Sequence, residues 1–390
     1  MKILHLALEA PYNEGWGYQE NLLTKYQVKL GHDVTLITTC NMNSADSTIV
    51  SCEPEDYISP DGFRVIRLNH KYILNKKVSL FLKIFSIYDL LKTIQPDFVM
   101  IHGLSNFSAL QVRKYVKKIN SKCIIIADNH LDYIIGKEYL SRRFSTKILV
   151  KMFRLMNIKM QRVYSKIYGV TPWRCEYANK VFGIDEEKLD LLPAGADDEK
   201  IDYHNRSTIK KEICDKYDIS NDDFLVITGG KIDEKKNIDK LMEAVSKIDN
   251  PKIKLLVFGE SSENIRQRVE SLSEHPNIRY IGWIPSEDTY NYFLAADLMF
   301  FPGGHSVMWE QACACGTPCV FKYFRSMDHC DFGGNCKFLY DDTVNGMITL
   351  INEILNPDVY RKMYEVASSD GRKKFLYSKL AEKSLEMLEN

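Results

Sequence analysis

The segment of residues 297–318, DLMFFPGGHSVMWEQACACGTP, restricts the possible folds of this chain more than any other part of it. A short apolar run, two glycines, a helical segment and a Gly-Thr-Pro stop follow one another. This order predicts a strand, a glycine turn and a helix. A helix that begins directly after such a turn points its unpaired N–H groups above the strand, which favours an anion such as a phosphate.

Glu310 lies about one turn inside this predicted helix. A carboxylate at that depth is not a simple helix cap, but it can accept hydrogen bonds from the sugar hydroxyls of a ligand whose phosphates lie at the helix start. On spacing alone, Glu310 is equally well explained as a surface residue of a helix that packs on a sheet.

The length of 390 residues exceeds what one hydrophobic core usually holds, so we expect two domains. Hydrophobic residues make up 45% and charged residues 27%, which is typical of globular proteins. Both halves alternate apolar strands with helices and carry glycines at strand ends. The sequence therefore predicts an α/β protein whose two Rossmann-like domains, residues 1–200 and 201–370, face each other over a cleft.

Ten cysteines are scattered along the chain without a CxxC pair or clustered histidines. We expect reduced thiols, no zinc site and a cytoplasmic setting, with Cys313, Cys315 and Cys319 as small buried residues under a helix. The opening residues MKILHLALEA are too few for a signal sequence or a membrane span and predict a buried first strand.

Several strand ends in the first half carry candidate site residues. Gly15 and Gly17 follow the first strand in an incomplete Gly-x-Gly-x-x-Gly pattern, and ligands of open α/β sheets bind beyond such strand ends. His102 ends the predicted strand 98–102, and His130 follows the predicted strand 121–128. Each histidine is a candidate for ligand contact, and for His102 a structural histidine with satisfied hydrogen bonds is an equal alternative. A helix is expected over residues 71–94.

Residues 137–166 hold nine basic residues and one acidic residue among regularly spaced apolar side chains. A basic amphipathic helix of this kind can lie on an anionic membrane surface. An ordinary helix with a solvated basic face explains the pattern equally well, and nucleic-acid binding is a weaker third explanation. The imbalance extends further, since residues 1–200 contain 28 Lys and Arg against 22 Asp and Glu.

In the second half, Lys231 and Lys236 follow a strand that ends in Gly229-Gly230. Two ammonium groups at a strand end can neutralise a diphosphate and stabilise it as a leaving group. Most lysines in turns are simply solvated, so the five-residue spacing after the glycine pair is what favours the functional interpretation.

These motifs resemble those of the GT-B glycosyltransferases, in particular the large retaining family 4. The resemblance covers nearly the whole chain and is strongest in its second half. It rests on HSVMWEQACACGTPCVF at 305–321, GHDVTLIT at 31–38, PDFVMIHG at 96–103, ADNH at 127–130, LPAGAD at 192–197 and the Gly-Gly-Lys-x4-Lys loop at 229–236.

The resemblance implies a role for each candidate. His130 would contact the reacting sugar, Lys231 and Lys236 would hold the diphosphate, and His102 would help to bind the acceptor. The second Glu of the family's Glu-x7-Glu pair binds the donor ribose, and Glu310 matches it, while Pro302 stands where the first Glu would be. The remaining donor-binding positions implied by the resemblance are Gly15, Gly17, Gly230, Ile284, His305, Ser306 and Val307.

The function that the resemblance implies is retaining transfer of a sugar from a nucleoside-diphosphate sugar, most simply a UDP-sugar, to a glycan or lipid-linked acceptor in polysaccharide biosynthesis. We expect no metal and no other cofactor, because the two lysines can do the work of a cation. Residues 371–390 would include a helix that crosses back to the first domain, and residues 137–166 would place the enzyme at the inner face of a membrane.

Three other functions remain open at this point. A sugar-nucleotide epimerase or a glycoside phosphorylase can share the fold, and the missing first Glu is compatible with a protein that binds a sugar nucleotide without turnover. A membrane-surface scaffold would bind lipid but no nucleotide.

Overall fold

The computed structural model describes residues 1–44, 48–72, 83–133 and 144–388, with the side chains of residues 72 and 144–146 left out. The chain divides into two compact units. Unit 1 comprises Met1–Pro193 together with the residues from Leu380 onward, and unit 2 comprises Ala194–Lys379. The sequence analysis places the domain boundary at residue 200, a few residues later.

Unit 1 contains an eight-stranded sheet in the order β12-β11-β10-β9-β1-β2-β6-β5, in which β5 alone runs antiparallel to its neighbour. Two small two-stranded sheets, β3-β4 and β7-β8, lie outside it. The strands are β1 (Lys2–Ala7), β2 (Asp33–Thr39), β3 (Asn41–Asn43), β4 (Ile49–Ser51), β5 (Asp56–Ile58), β6 (Arg64–Leu68), β7 (Lys71–Tyr72), β8 (Lys83–Ile84), β9 (Phe98–His102), β10 (Ile124–Asn129), β11 (Lys166–Gly169) and β12 (Leu189–Leu191).

The described helices of unit 1 connect these parallel strands, as crossover connections require. They are α1 (Gln19–Lys29), α2 (Tyr88–Ile94), α3 (Ala109–Lys118), α4 (Phe144–Met160) and α5 (Pro172–Lys180), with a 3-10 turn at Glu186–Lys188. The central strands are nearly continuous apolar runs because both of their faces are buried. The predicted first strand, glycine loop, helix and second strand are thereby confirmed.

The helix expected over residues 71–94 is wrong for half of the part that the structure describes. Residues 71–72 and 83–84 are short strands, and the helix begins only at Tyr88. Phe85 and Ile87 are both fully buried, which is the period of two of extended chain, and their N–H groups donate to the side chains of Ser108 and Gln111. Residues 73–82 lie outside the described residues.

Unit 2 contains a six-stranded parallel sheet in the order β15-β14-β13-β16-β17-β18. Its strands are β13 (Phe224–Gly229), β14 (Ile253–Phe258), β15 (Ile278–Tyr280), β16 (Leu298–Phe301), β17 (Cys319–Lys322) and β18 (Cys336–Leu339). Its helices are α6 (Arg206–Lys216), α7 (Ile238–Lys247), α8 (Glu263–Ser273), α9 (Thr289–Ala295), α10 (Met308–Ala314), α11 (Val344–Ile354) and α12 (Pro357–Ala367), with 3-10 turns at Asp198–Lys200, Tyr203–Asn205 and Asp370–Phe375.

Alternation along the strands of unit 2 fills two apolar clusters, one on each face of the sheet. Leu225 and Ile227 of β13 belong to one cluster, and Val226 between them belongs to the other. A sheet buried on both faces leaves only its edges and strand ends for a ligand, so the carboxyl ends of the strands are where a site is expected.

The final helix, α13 (Tyr377–Ser384), begins in unit 2 and ends in unit 1, and a 3-10 turn at Glu386–Leu388 follows it. In unit 1, the Oγ atom of Ser384 accepts a hydrogen bond from Nε2 of Gln27 over 3.0 Å. Across the described ranges, no helix combines the length and the apolar character needed to cross a membrane.

Candidate functional site

Glycines allow the loops at the carboxyl end of the unit 2 sheet to touch. A Cβ atom on Gly259, after β14, would lie 1.9 Å from the carbonyl oxygen of Gly230, after β13. A Cβ atom on Gly303, after β16, would lie 2.3 Å from the Cα atom of Lys236. Only glycine permits such approaches, so the loops after three neighbouring strands form one continuous backbone surface.

Lys236 joins two of these loops. Its Nζ atom donates to the carbonyl oxygens of Gly304 at 2.5 Å and of His305 at 3.4 Å. Burial lowers the pKa of this lysine, and Asp233 acts in the opposite direction. Lys231, by contrast, has 76% of its side chain exposed and lies 4.0 Å from the Asp233 carboxylate. The two predicted phosphate lysines therefore occupy different environments, since Lys236 hydrogen-bonds the loop backbone and Lys231 is largely exposed.

Glu310 lies in the first turn of α10 with no exposed surface. Its Oε1 atom is 2.8 Å from Nε2 of His305 and 2.8 Å from Nε2 of His329. Among the described residues, its Oε2 atom and the Nδ1 atom of His329 have no hydrogen-bond partner. We call His305, Glu310 and His329 the unit 2 triad.

The electrostatics of the unit 2 triad keep Glu310 ionised. Burial alone would raise the pKa of this carboxyl group, but His305 and His329 outweigh burial and lower it to about 2. Trp309 packs beside the triad. Its ring stacks on the Phe321 ring with 4.5 Å between centroids and makes a T-shaped contact with the His305 ring, with 5.2 Å between centroids. Glu310 is a charged residue inside an aromatic core.

The helix that contains Glu310 is shorter and begins later than the sequence predicts. Helix α10 begins at Met308 and has only seven residues, so it does not start directly after Gly304. A helix of two turns sums few peptide dipoles, and its N-terminus is not the strong anion site that was expected. Attraction for a phosphate must come from the lysines and the glycine loops instead.

The other donor-binding positions of unit 2 lie near these loops in sequence but contribute little side-chain chemistry. Ser306 and Val307 supply carbonyl oxygens that accept the N–H groups of Trp309 and Gln311. Ile284 is partly buried against the core, while the adjacent Trp283 is 71% exposed. Their assignment to donor binding stays a prediction.

In unit 1, the loop between β1 and α1 contains the two predicted glycines. Gly15 has a φ of +75°, a conformation that favours glycine, whereas Gly17 does not, and an added Cβ would meet no atom within 4 Å at either position. Gly15 is thus explained by backbone conformation, and nothing in the unit 1 structure requires glycine at residue 17.

His102 and His130 meet at one carboxylate that the sequence analysis did not assign. The Oδ2 atom of Asp128 lies 2.6 Å from Nδ1 of His102, and its Oδ1 atom lies 3.1 Å from Nε2 of His130. Oδ1 also accepts the N–H of Gly103 at 3.0 Å. Asp128 is fully buried, whereas 42% of the His130 side chain is exposed.

The hydrogen-bonded chain continues behind His102. Its Nε2 atom is 2.9 Å from Nδ1 of His5, and Nε2 of His5 is 2.6 Å from Oε1 of Gln27. Gln27 then donates to Ser384, which donates to the carbonyl of Ala381. With the Gln27 amide oriented in this way, His5 donates from Nε2 and accepts at Nδ1, so His102 donates from both ring nitrogens.

Charges in this chain are fixed by burial and by Asp128. Burial and the neighbouring His102 lower the pKa of His5 to about 3, which keeps His5 neutral. Burial alone would raise the pKa of Asp128, but His102 and His130 outweigh it and hold the pKa well below its usual range. Burial acts to lower the pKa of His130, but the charge of Asp128 and its hydrogen bond to the ring together outweigh burial, so the pKa is raised.

His102 is therefore the satisfied structural histidine of the two interpretations that the sequence left open. Only 5% of its side chain is exposed, and both ring nitrogens are hydrogen-bonded, so it offers no free atom to an acceptor. The assignment of His102 to acceptor binding finds no support in this geometry, and His130 is the exposed member of the cluster.

Two groups of described residues could each hold a metal ion, because the ligand atoms within each group lie within 4.8 Å of one another. They are His102, Asp128 and His130, and the unit 2 triad. In both groups imidazole nitrogens already hydrogen-bond the carboxylate, so hydrogen bonding is sufficient to account for the arrangement. The expectation of a metal-independent reaction stays a prediction.

Sequence reasoning missed Asp128, His5 and His329 as parts of these clusters. Asp128 stood inside the quoted ADNH motif, and an acidic residue at a strand end beside a histidine was a usable signal. His5 alternates with apolar residues inside β1 and looked like an ordinary inward-facing position. His329 lies 19 residues after Glu310, with no local pattern that joins the two.

The fold and these clusters define a class of protein. Two parallel α/β sheets in one chain, with glycine loops and charged residues beyond their carboxyl ends, are the architecture of the GT-B fold. Residues 209–373 match the family model described as Glycosyl transferases group 1, and this range lies within unit 2. This match to a glycosyltransferase family covers less than half of the chain.

Curated relatives are distant. Mannosylfructose-phosphate synthase from Agrobacterium fabrum is 21% identical over 246 residues, which cover 57% of this chain and 52% of that protein. The lipopolysaccharide core biosynthesis glycosyltransferase LpsE from Rhizobium meliloti is 28% identical over 108 residues, which cover 27% and 31% respectively. The chain therefore spans about half, or less, of the length of these relatives.

Solved structures resemble the chain over its whole length. A glycosyltransferase from Rickettsia africae ESF-5 aligns with a TM-score of 0.68 and 16% identity over 99% of this chain and 97% of that one. Anabaena Alr3699/HepE in complex with UDP aligns with a TM-score of 0.68 and 12% identity over the full length of both chains. At these identities the likeness shows the fold, and the predicted GT-B class with two Rossmann-like domains is confirmed.

Proposed function

We propose that this protein is a retaining glycosyltransferase of the family 4 type, which transfers a sugar from a UDP-sugar to a glycan acceptor. The observation that carries the proposal is the loop surface of unit 2. Glycines after three strands let these loops touch, and Nζ of Lys236 donates hydrogen bonds to the carbonyl oxygens of residues 304 and 305. This surface lies inside the range that matches the group 1 family. The UDP complex of the Anabaena structure supports the choice of nucleotide.

The diphosphate would bind at this surface. Lys236 is partly buried with its ammonium group on carbonyl oxygens, and an anion beside it would recover the charge interaction that burial removes. Lys231, whose side chain is largely exposed, would contact the phosphates from the solvent side. Both lysines would stabilise the negative charge that develops on the departing diphosphate.

His130 would contact the reacting sugar. Its Nε2 atom is held by Asp128, which leaves Nδ1 for a sugar hydroxyl and keeps the ring in one orientation. Asp128 is itself fixed by His102 and by the N–H of Gly103. His102 and Asp128 thus form a buried support that presents the partly exposed imidazole of His130.

The transfer step would proceed on one face of the sugar. The acceptor oxygen forms a bond to the anomeric carbon as the bond from that carbon to the diphosphate oxygen breaks, and the leaving phosphate takes the acceptor's proton. No protein base is needed in this scheme, so the residues of the chain act by binding, orientation and charge stabilisation. We propose that the reaction needs no metal ion, because the lysines neutralise the diphosphate.

The test is release of UDP from a UDP-sugar, with and without glycan acceptor, in the presence of EDTA. We expect UDP to appear only when acceptor is present. Conversion of the sugar without acceptor would favour an epimerase, and binding without turnover under any acceptor would favour a sugar-nucleotide binding protein. Loss of activity in EDTA that returns with added divalent cation would overturn the metal-independent mechanism.

We further propose peripheral binding to an anionic membrane through α4, which lies within the basic segment at 137–166. Residues 137–143 of this segment lie outside the described residues. Ile148, Met152 and Leu155 are 47%, 39% and 61% exposed and lie one turn apart on one face of α4, beside exposed Lys147 and Lys151. An exposed apolar stripe with flanking lysines suits the surface of a bilayer and a lipid-linked acceptor.

A cytoplasmic setting belongs to the same proposal. All ten cysteines are free thiols, and eight of them are buried. Buried thiols without disulfide bonds fit a reducing compartment.

A further inference from the structure

Exposure within the unit 2 triad is graded. Glu310 has no exposed side-chain surface, 2% of the His329 side chain is exposed, and 15% of the His305 side chain is exposed. A ligand approaching the loops after β16 in this conformation would meet the His305 ring, because that ring covers the carboxylate. Glu310 is the residue that sequence comparison selects, yet it is not the one that faces outward.

Hydrogen-bond directions fix the His305 ring. An ionised carboxylate only accepts, so His305 and His329 each donate an Nε2–H to Oε1 of Glu310. The Nδ1 atom of His305 receives no hydrogen bond from any residue that the structure describes. The ring is further confined by the edge of Trp309 at 5.2 Å and by the His329 ring at 5.8 Å.

His305 also lies beside the proposed phosphate lysine. Nζ of Lys236 donates to the carbonyl of His305 and to that of Gly304. An anion bound by Lys236 would therefore lie within one residue of the His305 backbone. The groups attached to a nucleotide's diphosphate are two hydroxyl-bearing rings, the ribose on one side and the transferred sugar on the other.

From this geometry we infer that His305 contacts a sugar hydroxyl of the bound nucleotide sugar, and that Glu310 and His329 are positioning residues for its ring. The inference rests on the proposed function, since it assumes a nucleotide sugar at Lys236. The free Nδ1 atom of a neutral imidazole accepts a hydrogen bond, which matches a hydroxyl donor. His305 would thus supply an acceptor near the place where the chain has Pro302 instead of the family's first Glu.

The test is calorimetry of the full-length protein with UDP, 2′,3′-dideoxy-UDP and UDP-glucose. One neutral hydrogen bond corresponds to a preference of about 3- to 10-fold. We expect the wild type to prefer UDP over the dideoxy nucleotide, or UDP-glucose over UDP, and His305→Ala to abolish one of these preferences. The first ratio reports the ribose, and the second reports the transferred sugar. His204→Ala, which removes an exposed histidine of unit 2 that has no assigned role in binding, is the control and should keep both preferences.

Three outcomes separate the inference from the proposed function. If no nucleotide binds to the wild type, the proposed function fails and the inference fails with it. If the wild type binds UDP but shows neither preference, no hydroxyl is recognised and the inference alone is overturned. If His305→Ala keeps both ratios of the wild type, the contact belongs to another residue and the inference is again overturned.

The positioning role has its own readout, which a merely structural role would not produce. In protein labelled with 15N-histidine, the His305 resonances are identified by their loss in His305→Ala. We expect a single tautomer with the proton on Nε2, and a shift of Nδ1 on adding UDP-glucose that inorganic pyrophosphate does not produce. In folded His329→Gln the amide can still donate to Glu310 and should keep this tautomer, whereas Glu310→Leu should give a mixture. An unchanged tautomer in Glu310→Leu would contradict the positioning role.

Discussion

The Nδ1 atom of His102 lies 2.6 Å from the Oδ2 atom of Asp128, and both side chains are buried. The same carboxylate holds His130 on its other oxygen at 3.1 Å. A histidine from β9 and a histidine that follows β10 are thus coupled through a single charge. His130, which we propose contacts the sugar, therefore depends on this buried pair for its orientation and for its pKa.

Asp128→Asn should move the pH dependence of activity. Asp128 raises the pKa of His130, so its removal lowers that pKa. If neutral His130 is required, the acidic limb of the profile moves to lower pH; if protonated His130 is required, the alkaline limb does. Rates measured against pH for both proteins, with circular dichroism to verify folding, check this, and an unmoved profile would separate His130 from the reaction. His204→Ala, an exposed histidine of unit 2, should leave the profile unchanged.

Lys236→Ala should weaken UDP binding by about 10- to 100-fold, because a charge-assisted hydrogen bond to phosphate is lost from a partly buried position. Lys252→Ala is the matched control. Lys252 is exposed and precedes β14, so it lies at the opposite end of the sheet from the glycine loops. In a thermal-shift assay we expect UDP to stabilise wild type and Lys252→Ala equally and Lys236→Ala far less. Equal shifts in all three would remove the phosphate site from this lysine.

Gly303→Ala and Gly304→Ala test the loop surface with one methyl group each. A Cβ atom on Gly303 would lie 2.3 Å from Cα of Lys236, whereas one on Gly304 would meet nothing within 4 Å. Neither residue has a positive φ. Gly303→Ala should therefore lower the free energy of unfolding by about 1–3 kcal/mol and weaken UDP binding, while Gly304→Ala should change both little. Urea unfolding and calorimetry give the two quantities, and equal effects at the two positions would argue against close loop contact.

Glu310→Gln should alter stability in a pH-dependent way. The pKa of Glu310 is lowered from 4.5 to about 2 in the folded protein, so its ionised form stabilises the fold by on the order of 3 kcal/mol. Because the folded pKa lies below the ordinary value, this contribution is fully present above pH 4.5 and is lost as the pH falls toward 2. Urea unfolding of both proteins should show a constant difference from about pH 5 to 7 that shrinks in acid. A difference that grows in acid would reverse the assigned sign.

Replacing Ile148 and Leu155 of α4 with serine should reduce binding to anionic vesicles. Each buried methylene contributes roughly 0.8 kcal/mol to burial in an apolar phase, so the double variant should bind several-fold more weakly at least. Ile119→Ser, at an exposed apolar position that follows α3, is the control. Cosedimentation with phosphatidylserine vesicles measures the effect. Binding equal to wild type in the double variant would place the membrane contact elsewhere or exclude it.

The alternating strands and glycine loops could be predicted because each depends on neighbours in sequence. Val226 between Leu225 and Ile227 already shows a strand buried on both faces, and Gly229-Gly230 marks where it must end. The helix predicted over residues 71–94 was wrong at residues 85–87 because that prediction also used only the local spacing of apolar residues. There, hydrogen bonds to Ser108 and Gln111, more than twenty residues away, decide the backbone conformation.

The clusters themselves depended on contacts that no local pattern records. Glu310 could be selected from its motif, but its burial depends on packing with His305 and Trp309. One of its two hydrogen-bond partners, His329, lies 19 residues further along the chain. In the same way, the position of His102 at a strand end was visible, whereas its engagement by His5 required the pairing of β1 with β9. Sequence therefore located the strand ends where chemistry collects, and packing decided which atoms remain free there.

The hydrogen bond from Gln27 to Ser384 has a consequence for any attempt to dissect the protein. A fragment that stops at residue 193 would contain every strand of the larger sheet and still lose the hydroxyl that receives the Gln27 amide. Without that hydroxyl the Gln27 amide would no longer be held in one orientation, so His5 could change its tautomer. The change would then pass through His102 and Asp128 to His130. The tail of the polypeptide, more than 250 residues distant in sequence from that imidazole, is a working part of its support, so a C-terminal tag or deletion belongs among the changes that can silence the enzyme.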